Sequence, residues 1–154
     1  MQLIDILARD RVGADLRVSG KKRLLELLAN MLAPEASLVR PVFEALIARE
    51  HLGSTALGQG VAIPHGRVAL DIAPTAAFAR LKDPIEFDAP DGEPVDLVLA
   101  LVVPEHFTDQ HLTLLAQVAE LFSHPEVCAE LRAASDAHTL FDRLNERTLQ
   151  FSES

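Results

Sequence analysis

The chain has 154 residues, of which 49% are hydrophobic, and this length and composition predict one domain with a substantial core. The formal net charge is −9, which argues against nucleic-acid binding because that function requires clustered Lys and Arg side chains. The chain starts without the basic and apolar regions of a signal peptide, and no apolar run approaches the roughly 20 residues of a membrane span, so we expect a cytoplasmic protein without membrane insertion.

The first third of the chain predicts mainly helices. Residues 3–8 favour a short helix and residues 14–18 a short strand. Ser19 is the predicted N-cap of a second helix, and Ser37 of a third helix that stops at Gly53. Apolar residues recur at helical spacing in both of these longer helices: Leu24, Leu25, Leu27, Leu28, Met31 and Leu32, then Leu38, Val42, Phe43, Leu46 and Ile47. We expect the two helices to pack as a hairpin.

The pattern changes after Gly53 from helical to extended. Residues 53–60 are rich in turn formers and small side chains, and residues 88–94 form a second predicted turn region. The predicted strands are 61–63, 75–81, 85–87 and 95–103. The last of these is almost continuously apolar, which is typical of a strand covered on both faces.

The C-terminal part of the chain returns to helical patterns. Thr108 is the predicted cap of a helix whose buried face carries Leu112, Leu115, Val118, Ala119 and Phe122. A capping box at 123–126 predicts a helix to about Ala133, and a last helix covers 136–145 before a polar tail. That middle helix contains Cys128, the only cysteine, so no internal disulfide is possible, and its acidic neighbours favour a structural thiol.

The order of elements is helices, then strands, then helices. This order predicts an α/β sandwich in which helices cover both faces of a small mixed β-sheet. We expect a single domain that spans residues 1–154, with its core at about 3–146.

Among six histidines, His65 has the local sequence most typical of a site. It follows a predicted strand and Pro64, which restricts the backbone, and precedes Gly66, which permits a close approach of another group. A histidine held in this way at the end of a strand occupies a common position for sites in α/β proteins. The residue types alone are equally compatible with a turn histidine that has no role.

Four further polar residues are candidates for the same site. Arg49 ends the third predicted helix, Ser54 and Thr55 open the glycine-rich segment, and His111 lies in the first turn of a later helix, where free amides favour anions. Each of them also has an ordinary explanation, as a solvated charge, a turn residue or a capping side chain.

The segment from Arg49 to Arg67 reads REHLGSTALGQGVAIPHGR. It closely resembles the signature of the IIA proteins of the bacterial phosphoenolpyruvate-dependent phosphotransferase system, in the fructose/mannitol/nitrogen-regulatory branch. Ala56, Leu57 and Val61 depart from the usual residues of that signature by small apolar changes. The resemblance continues at residues 94–104 and at His111-Leu112, and covers nearly the whole chain.

Membership of this family implies a function and a set of site residues. His65 would accept a phosphoryl group, Arg49 would lie near the phosphohistidine, and His111 would assist without being phosphorylated. Ser54, Thr55 and Gly66 would line the pocket. We expect Nε2 of His65 to be the nucleophile, with Nδ1–H held by a backbone carbonyl. The donor would be phosphorylated HPr or its nitrogen-related paralogue, and the reaction would need no metal or other cofactor.

The resemblance is strongest to the nitrogen-regulatory subgroup, whose members regulate target proteins, such as potassium transport or sensor-kinase proteins, according to phosphorylation state. The alternative within the family is a IIA component of a fructose or mannitol permease, which passes the phosphoryl group to IIB. Two alternatives lie outside it. One is a metal-binding module that uses His65, His106 and His111, and the other is a protein-binding module without phosphorylation.

Overall fold

The computed structural model of the protein describes residues 1–152. Within these residues lie six α-helices and six β-strands, in this order: α1 (Leu3–Ile6), β1 (Val12–Leu16), α2 (Lys21–Leu32), α3 (Val39–His51), β2 (Ala56–Gly58), β3 (Val61–Ala62), β4 (His65–Val68), β5 (Thr75–Ile85), β6 (Val95–Pro104), α4 (Asp109–Phe122), α5 (Pro125–Ala133) and α6 (Ala137–Ser152). Single turns of 3-10 helix precede β1 and α3, at Arg9–Arg11 and Ala36–Leu38.

The six strands form one mixed sheet with β6 at its centre. Strand β5 pairs antiparallel with one edge of β6 and also carries β1, in parallel, on its outer side. The other edge of β6 pairs in parallel with β3 and then with β4, and β2 lies outside β3. Strands β3 and β4 therefore follow one another along the same neighbour, separated only by Ile63 and Pro64.

Helices cover both faces of the sheet, which confirms the predicted fold class. The side chains of β6 alternate between two hydrophobic cores: Leu99 and Leu101 face one, and Val98 and Val102 face the other. The core of Val98 and Val102 is completed by α2 and α3, whereas α1, α4, α5 and α6 complete the second core. This double burial explains why the sequence of β6 is apolar at almost every position.

The predicted helix starts were wrong in three places. Helix α2 begins after Gly20 and α3 after Leu38, so neither Ser19 nor Ser37 is an N-cap. The 3-10 turn takes up Ser37 and delays the start of α3. His124, not Ser123, precedes α5, and its side chain makes no capping hydrogen bond, so the predicted capping box is absent.

The bounds of several other elements also differ from the sequence-based expectations. Strand β1 starts two residues before 14–18, and α1 ends at Ile6. The strand expected at 75–81 continues to Ile85 as β5, whose pairing with β6 shifts register between Arg80 and Ile85. The separate strand expected at 85–87 was wrong, because Glu86 and Phe87 lie beyond the end of β5. Pro84 lies within this irregular part, where a missing amide hydrogen does least harm. Strands β2 and β4 were not predicted.

Two of the C-terminal helices also differ from expectation. The buried face of α4 carries His111, Leu114, Val118, Leu121 and Phe122, whereas Leu112, predicted to be buried, is 67% exposed. Helix α6 continues to Ser152 through the segment expected to be a polar tail. Long-range packing supports this extension, because Thr148 is buried and the ring of Phe151 stacks on His124 with centroids 4.2 Å apart.

Candidate functional site

The structure has a cleft of about 920 Å³ where the end of α3, the start of β4 and the start of α4 meet. Its lining includes both histidines and the arginine that the sequence singled out, His65, His111 and Arg49, together with Gly66. The other lining residues are Ala45, Ala48, Leu52, Arg67, Glu105, Thr108, Leu112 and Leu115. Residues far apart in the sequence thus converge on one surface.

His65 is the first residue of β4 and is held on both its backbone and its side chain. The amide of Leu101 on β6 donates to the carbonyl of Pro64 over 3.0 Å, which fixes the backbone just before the histidine. Nδ1 lies 2.9 Å from the carbonyl oxygen of Ile63. A carbonyl only accepts, so Nδ1 carries the hydrogen and Nε2 presents its lone pair. The predicted hydrogen bond to a backbone carbonyl is therefore present.

The half-buried position of His65 keeps its imidazole neutral. Burial lowers the pKa of His65, the bond to Ile63 acts in the opposite direction, and the positive charge of Arg49 lowers it further. Glu50 opposes Arg49 by raising the pKa of His65. The net shift is downward, so His65 is an unprotonated, nucleophilic base at neutral pH.

Arg49 lies in the last turn of α3 and extends to the edge of the cleft. Its Nη1 donates to the carbonyl of Gly53 over 2.9 Å, which aligns the guanidinium with the loop that follows the helix. Four further N–H groups of the same guanidinium remain available to an anion.

His111 is brought to His65 by the first turn of α4. The two rings meet edge to face, with centroids 5.3 Å apart and planes at 72°. His111 is only 6% exposed, and its Nε2 is buried without a hydrogen-bond partner among residues 1–152. Desolvation, followed by the charges of His65 and Arg67, lowers the pKa of His111 to about 4. A buried nitrogen without a hydrogen-bond partner is unfavourable by itself.

Gly66 permits close packing next to the site. A Cβ atom at this position would lie 3.0 Å from the carbonyl carbon and the Cβ of Ala45 on α3. The missing side chain therefore lets α3 approach β4, and this contact brings Arg49 into the same cleft as His65.

Ser54 and Thr55 are not among the residues that line the cleft. The Ser54 hydroxyl donates to the carbonyl of Phe87 over 2.9 Å, and the buried Thr55 hydroxyl makes a short hydrogen bond to the carboxylate of Glu50. Both hydroxyls anchor the loop after α3 instead of facing His65. The expected role of Ser54 and Thr55 in the phosphate pocket thus stays a prediction, since turn residues beside a site in sequence need not face it.

Two residues at the site were missed by the sequence analysis. Arg67 lies two positions beyond His65 on β4, so both side chains emerge on the same face of the strand, and both line the cleft. Glu50 is buried behind the site and influences the pKa of His65. The position of Arg67 at i+2 from the histidine was a usable signal, whereas burial of Glu50 became visible only in the tertiary structure.

The alternative of a metal-binding module receives no geometric support. Within the described part of the chain, no group of three or more His, Cys, Asp and Glu side chains is placed to hold a metal ion. His106 is exposed and does not line the cleft that contains His65 and His111.

In residues 1–152, every helix is too short or too polar to cross a bilayer.

The family profile described as phosphoenolpyruvate-dependent sugar phosphotransferase system, EIIA 2, matches residues 5–147. The chain belongs to this family. The protein is thus a component of a phosphotransferase system.

Three comparisons locate the EIIA 2 chain among its relatives. It is 42% identical over 143 residues to a nitrogen regulatory protein of Pseudomonas aeruginosa, a match that covers 92% of this chain and 93% of the relative. It superposes on the crystal structure of the nitrogen regulatory protein IIA-Ntr of Neisseria meningitidis with a TM-score of 0.86 and 46% identity, over 91% of this chain and 97% of the other. A fructose-specific EIIABC component of Bacillus subtilis is 28% identical and matches 95% of this chain but 23% of its own length.

Proposed function

We propose that the protein is a phosphoryl carrier in which Nε2 of His65 accepts a phosphoryl group. The observation that carries the proposal is the hydrogen bond from Nδ1 to the carbonyl of Ile63, because it leaves Nε2 as the free nitrogen of a neutral ring in the cleft. Arg49 and His111 lie around that ring. Histidine suits this task because its neutral form is nucleophilic near pH 7.

The surroundings of His65 favour the charge of a transferred phosphoryl group. The guanidinium of Arg49 neutralises charge on the equatorial oxygens of the phosphoryl group. His111 is neutral, and in the tautomer with hydrogen on Nε2 it donates a hydrogen bond from this nitrogen to one of those oxygens. The first amides of α4 add further donors at the positive end of that helix. Catalysis then consists of positioning and electrostatic stabilisation, without a metal or other cofactor.

The donor is a phosphohistidine of HPr or of its nitrogen-related paralogue. The lone pair of His65 Nε2 forms the new N–P bond while the N–P bond of the donor breaks, and that electron pair returns to the donor imidazole. The Nδ1 hydrogen of His65 stays on its bond to Ile63 throughout. The product keeps a high transfer potential, so the group can move on to a further acceptor or return.

Within the family, we assign the protein to the nitrogen-regulatory subgroup, and we place it in the cytoplasm. The nitrogen regulatory proteins of Pseudomonas aeruginosa and Neisseria meningitidis are 42% and 46% identical to this chain along most of both lengths, whereas the fructose-specific relative is 28% identical. Its output is then the regulation of target proteins, of the potassium transport or sensor-kinase type, by the free or the phosphorylated form.

The test is phosphoryl transfer from phosphoenolpyruvate through enzyme I and each of the two donors. We expect labelling of the wild-type protein and complete loss in His65→Ala. His106→Ala is the matched control, since His106 is an exposed histidine outside the cleft. Equal labelling of His65→Ala and the wild type would refute the assignment of the nucleophile.

The subgroup is tested by comparing the two donors. Faster transfer from the nitrogen-related paralogue than from HPr supports a regulatory protein. Transfer from HPr followed by rapid passage to a fructose or mannitol IIB domain, with no preference for the paralogue, would favour the permease component.

A further inference from the structure

A buried polar cluster behind the cleft connects α2, α3 and the loop before β2. At its centre is Glu50, whose side chain is 3% exposed. One carboxylate oxygen accepts from Lys21 Nζ at 2.9 Å and from the Thr55 amide at 3.2 Å, and the other accepts from the Thr55 hydroxyl. A buried carboxylate is retained in a fold only when it is paired and hydrogen-bonded in this way.

This cluster is connected to His65 by two further hydrogen bonds. The carbonyl of Thr55 accepts from the amide of Ile63 over 3.1 Å, and the carbonyl of Ile63 in turn accepts from Nδ1 of His65 over 2.9 Å. The carbonyl of Ile63 selects the tautomer of His65, and its position is thus set by the hydrogen bond to Thr55. The position of Thr55 is in turn set by Glu50. The next residue, Pro64, has no amide hydrogen, so it cannot donate a further hydrogen bond that would fix this part of the backbone.

We propose that Glu50 is a positioning residue for phosphoryl transfer, which acts through Thr55 and Ile63 to hold His65 with Nε2 free. The transfer part of this inference rests on the proposed function. Lys21 is the ion-pair partner of Glu50, and its ammonium also lies 4.4 Å from the centre of the Phe87 ring and 3.4 Å from the Phe87 carbonyl. Ser54 donates to the same carbonyl, so both loop hydroxyls belong to this anchor.

The charge of Glu50 supports the same role. It raises the pKa of His65 and so opposes the neighbouring Arg49, which lowers it. Arg49 thus contributes charge at the cleft, while Glu50 limits the loss of basicity that this charge would otherwise cause.

The test uses Glu50→Gln in the full-length chain, with Glu44→Gln as the control. Glu44 lies on the same helix but is exposed, and among residues 1–152 its ion pair is with Arg40, one turn away. Nitrogen-15 NMR of the histidine rings reports the tautomer and pKa of His65, and single-turnover transfer from a phosphorylated HPr-type donor reports the rate.

We expect Glu50→Gln to remain folded, to lose the uniform Nδ1–H tautomer of His65 and to lower its pKa. Its maximal transfer rate should fall about tenfold, while the donor concentration for half-maximal rate changes less than about twofold, because the defect lies in orientation and not in docking. Glu44→Gln should match the wild type in every readout. Wild-type tautomer or wild-type rate in folded Glu50→Gln overturns the proposal, even if its stability is reduced.

Thr55→Val provides the decision if Glu50→Gln fails to fold. It removes the hydroxyl and leaves the Glu50 carboxylate paired with Lys21 and with the backbone amide of residue 55. The same loss of tautomer and rate supports the proposal, and unchanged values overturn it. If the wild type accepts no phosphoryl group at all, the proposed function fails, whereas the NMR comparison still decides whether Glu50 positions His65.

Discussion

The depressed pKa of His111 makes stability depend on pH in a way that one substitution can isolate. In the unfolded chain a histidine titrates near pH 6.5, whereas His111 in the folded protein titrates at about 4. Between pH 6.5 and pH 4, His111 is therefore protonated in the unfolded state but mostly neutral in the folded state. Folding is therefore unaffected by His111 above about pH 6.5 and is progressively destabilised as the pH falls towards 4.

The size of this effect follows from the two pKa values. The full difference corresponds to about 3 kcal/mol, reached only below pH 4. Lowering the pH from 7.5 to 5.5 should already cost about 1.3 kcal/mol through His111 alone. At pH 5.5 exposed carboxylates are still ionised, so their protonation contributes little. His65, whose pKa is also lowered, is present in both the wild type and a His111 variant.

The assay is urea unfolding of the wild type and of His111→Gln at both pH values. The substitution removes the titrating group, so the wild type should lose about 1.3 kcal/mol more than the variant between pH 7.5 and 5.5. Nitrogen-15 NMR should independently find His111 uncharged at pH 5.5. An equal pH dependence in both proteins, or a His111 that titrates near pH 6.5, would refute the inference that burial keeps this ring neutral.

Three further predictions concern the neighbours of this ring. Gly66→Ala should lower the free energy of unfolding by about 1–3 kcal/mol, because its Cβ would press on Ala45; urea unfolding at the wild-type level would contradict the close packing of α3 on β4. Arg49→Ala should slow single-turnover transfer about a hundredfold with little change in donor affinity, since it acts on transition-state charge; weaker donor binding at an unchanged rate would assign it to docking instead. Arg67→Gln should raise the pKa of His111, because a positive charge beside it is removed, and an NMR titration checks the direction.

Local sequence patterns were sufficient for the fold class and for the central strand. The unbroken apolar run of β6 and the helical spacing on either side of the strands are consequences of burial that each element carries in its own residues. Helix starts were harder to predict. Ser19 and Ser37 have good capping chemistry, but the chain enters α2 and α3 at Gly20 and Leu38, one residue later in each case.

The C-terminal helix illustrates the same limit. The sequence after Asn145 is polar enough to be assigned to a tail, yet α6 continues to Ser152. Thr148 is buried and its hydroxyl donates to the carbonyl of Leu144 within the helix, and the ring of Phe151 stacks on His124 outside it. Propensity is a weak guide where such contacts compensate for a polar composition.

For the site, the residues from Arg49 to His65 could be recognised in the sequence because they form one continuous segment with a fixed order. Which groups meet there was decided by tertiary packing. Strand β4 and helix α4 place His65 and His111 in edge-to-face contact across more than forty residues, and the fold turns the hydroxyls of Ser54 and Thr55 away towards Phe87 and Glu50. The physical reason is that a side chain's direction depends on the pleat and the helix face that carry it, and those depend on how whole elements pack.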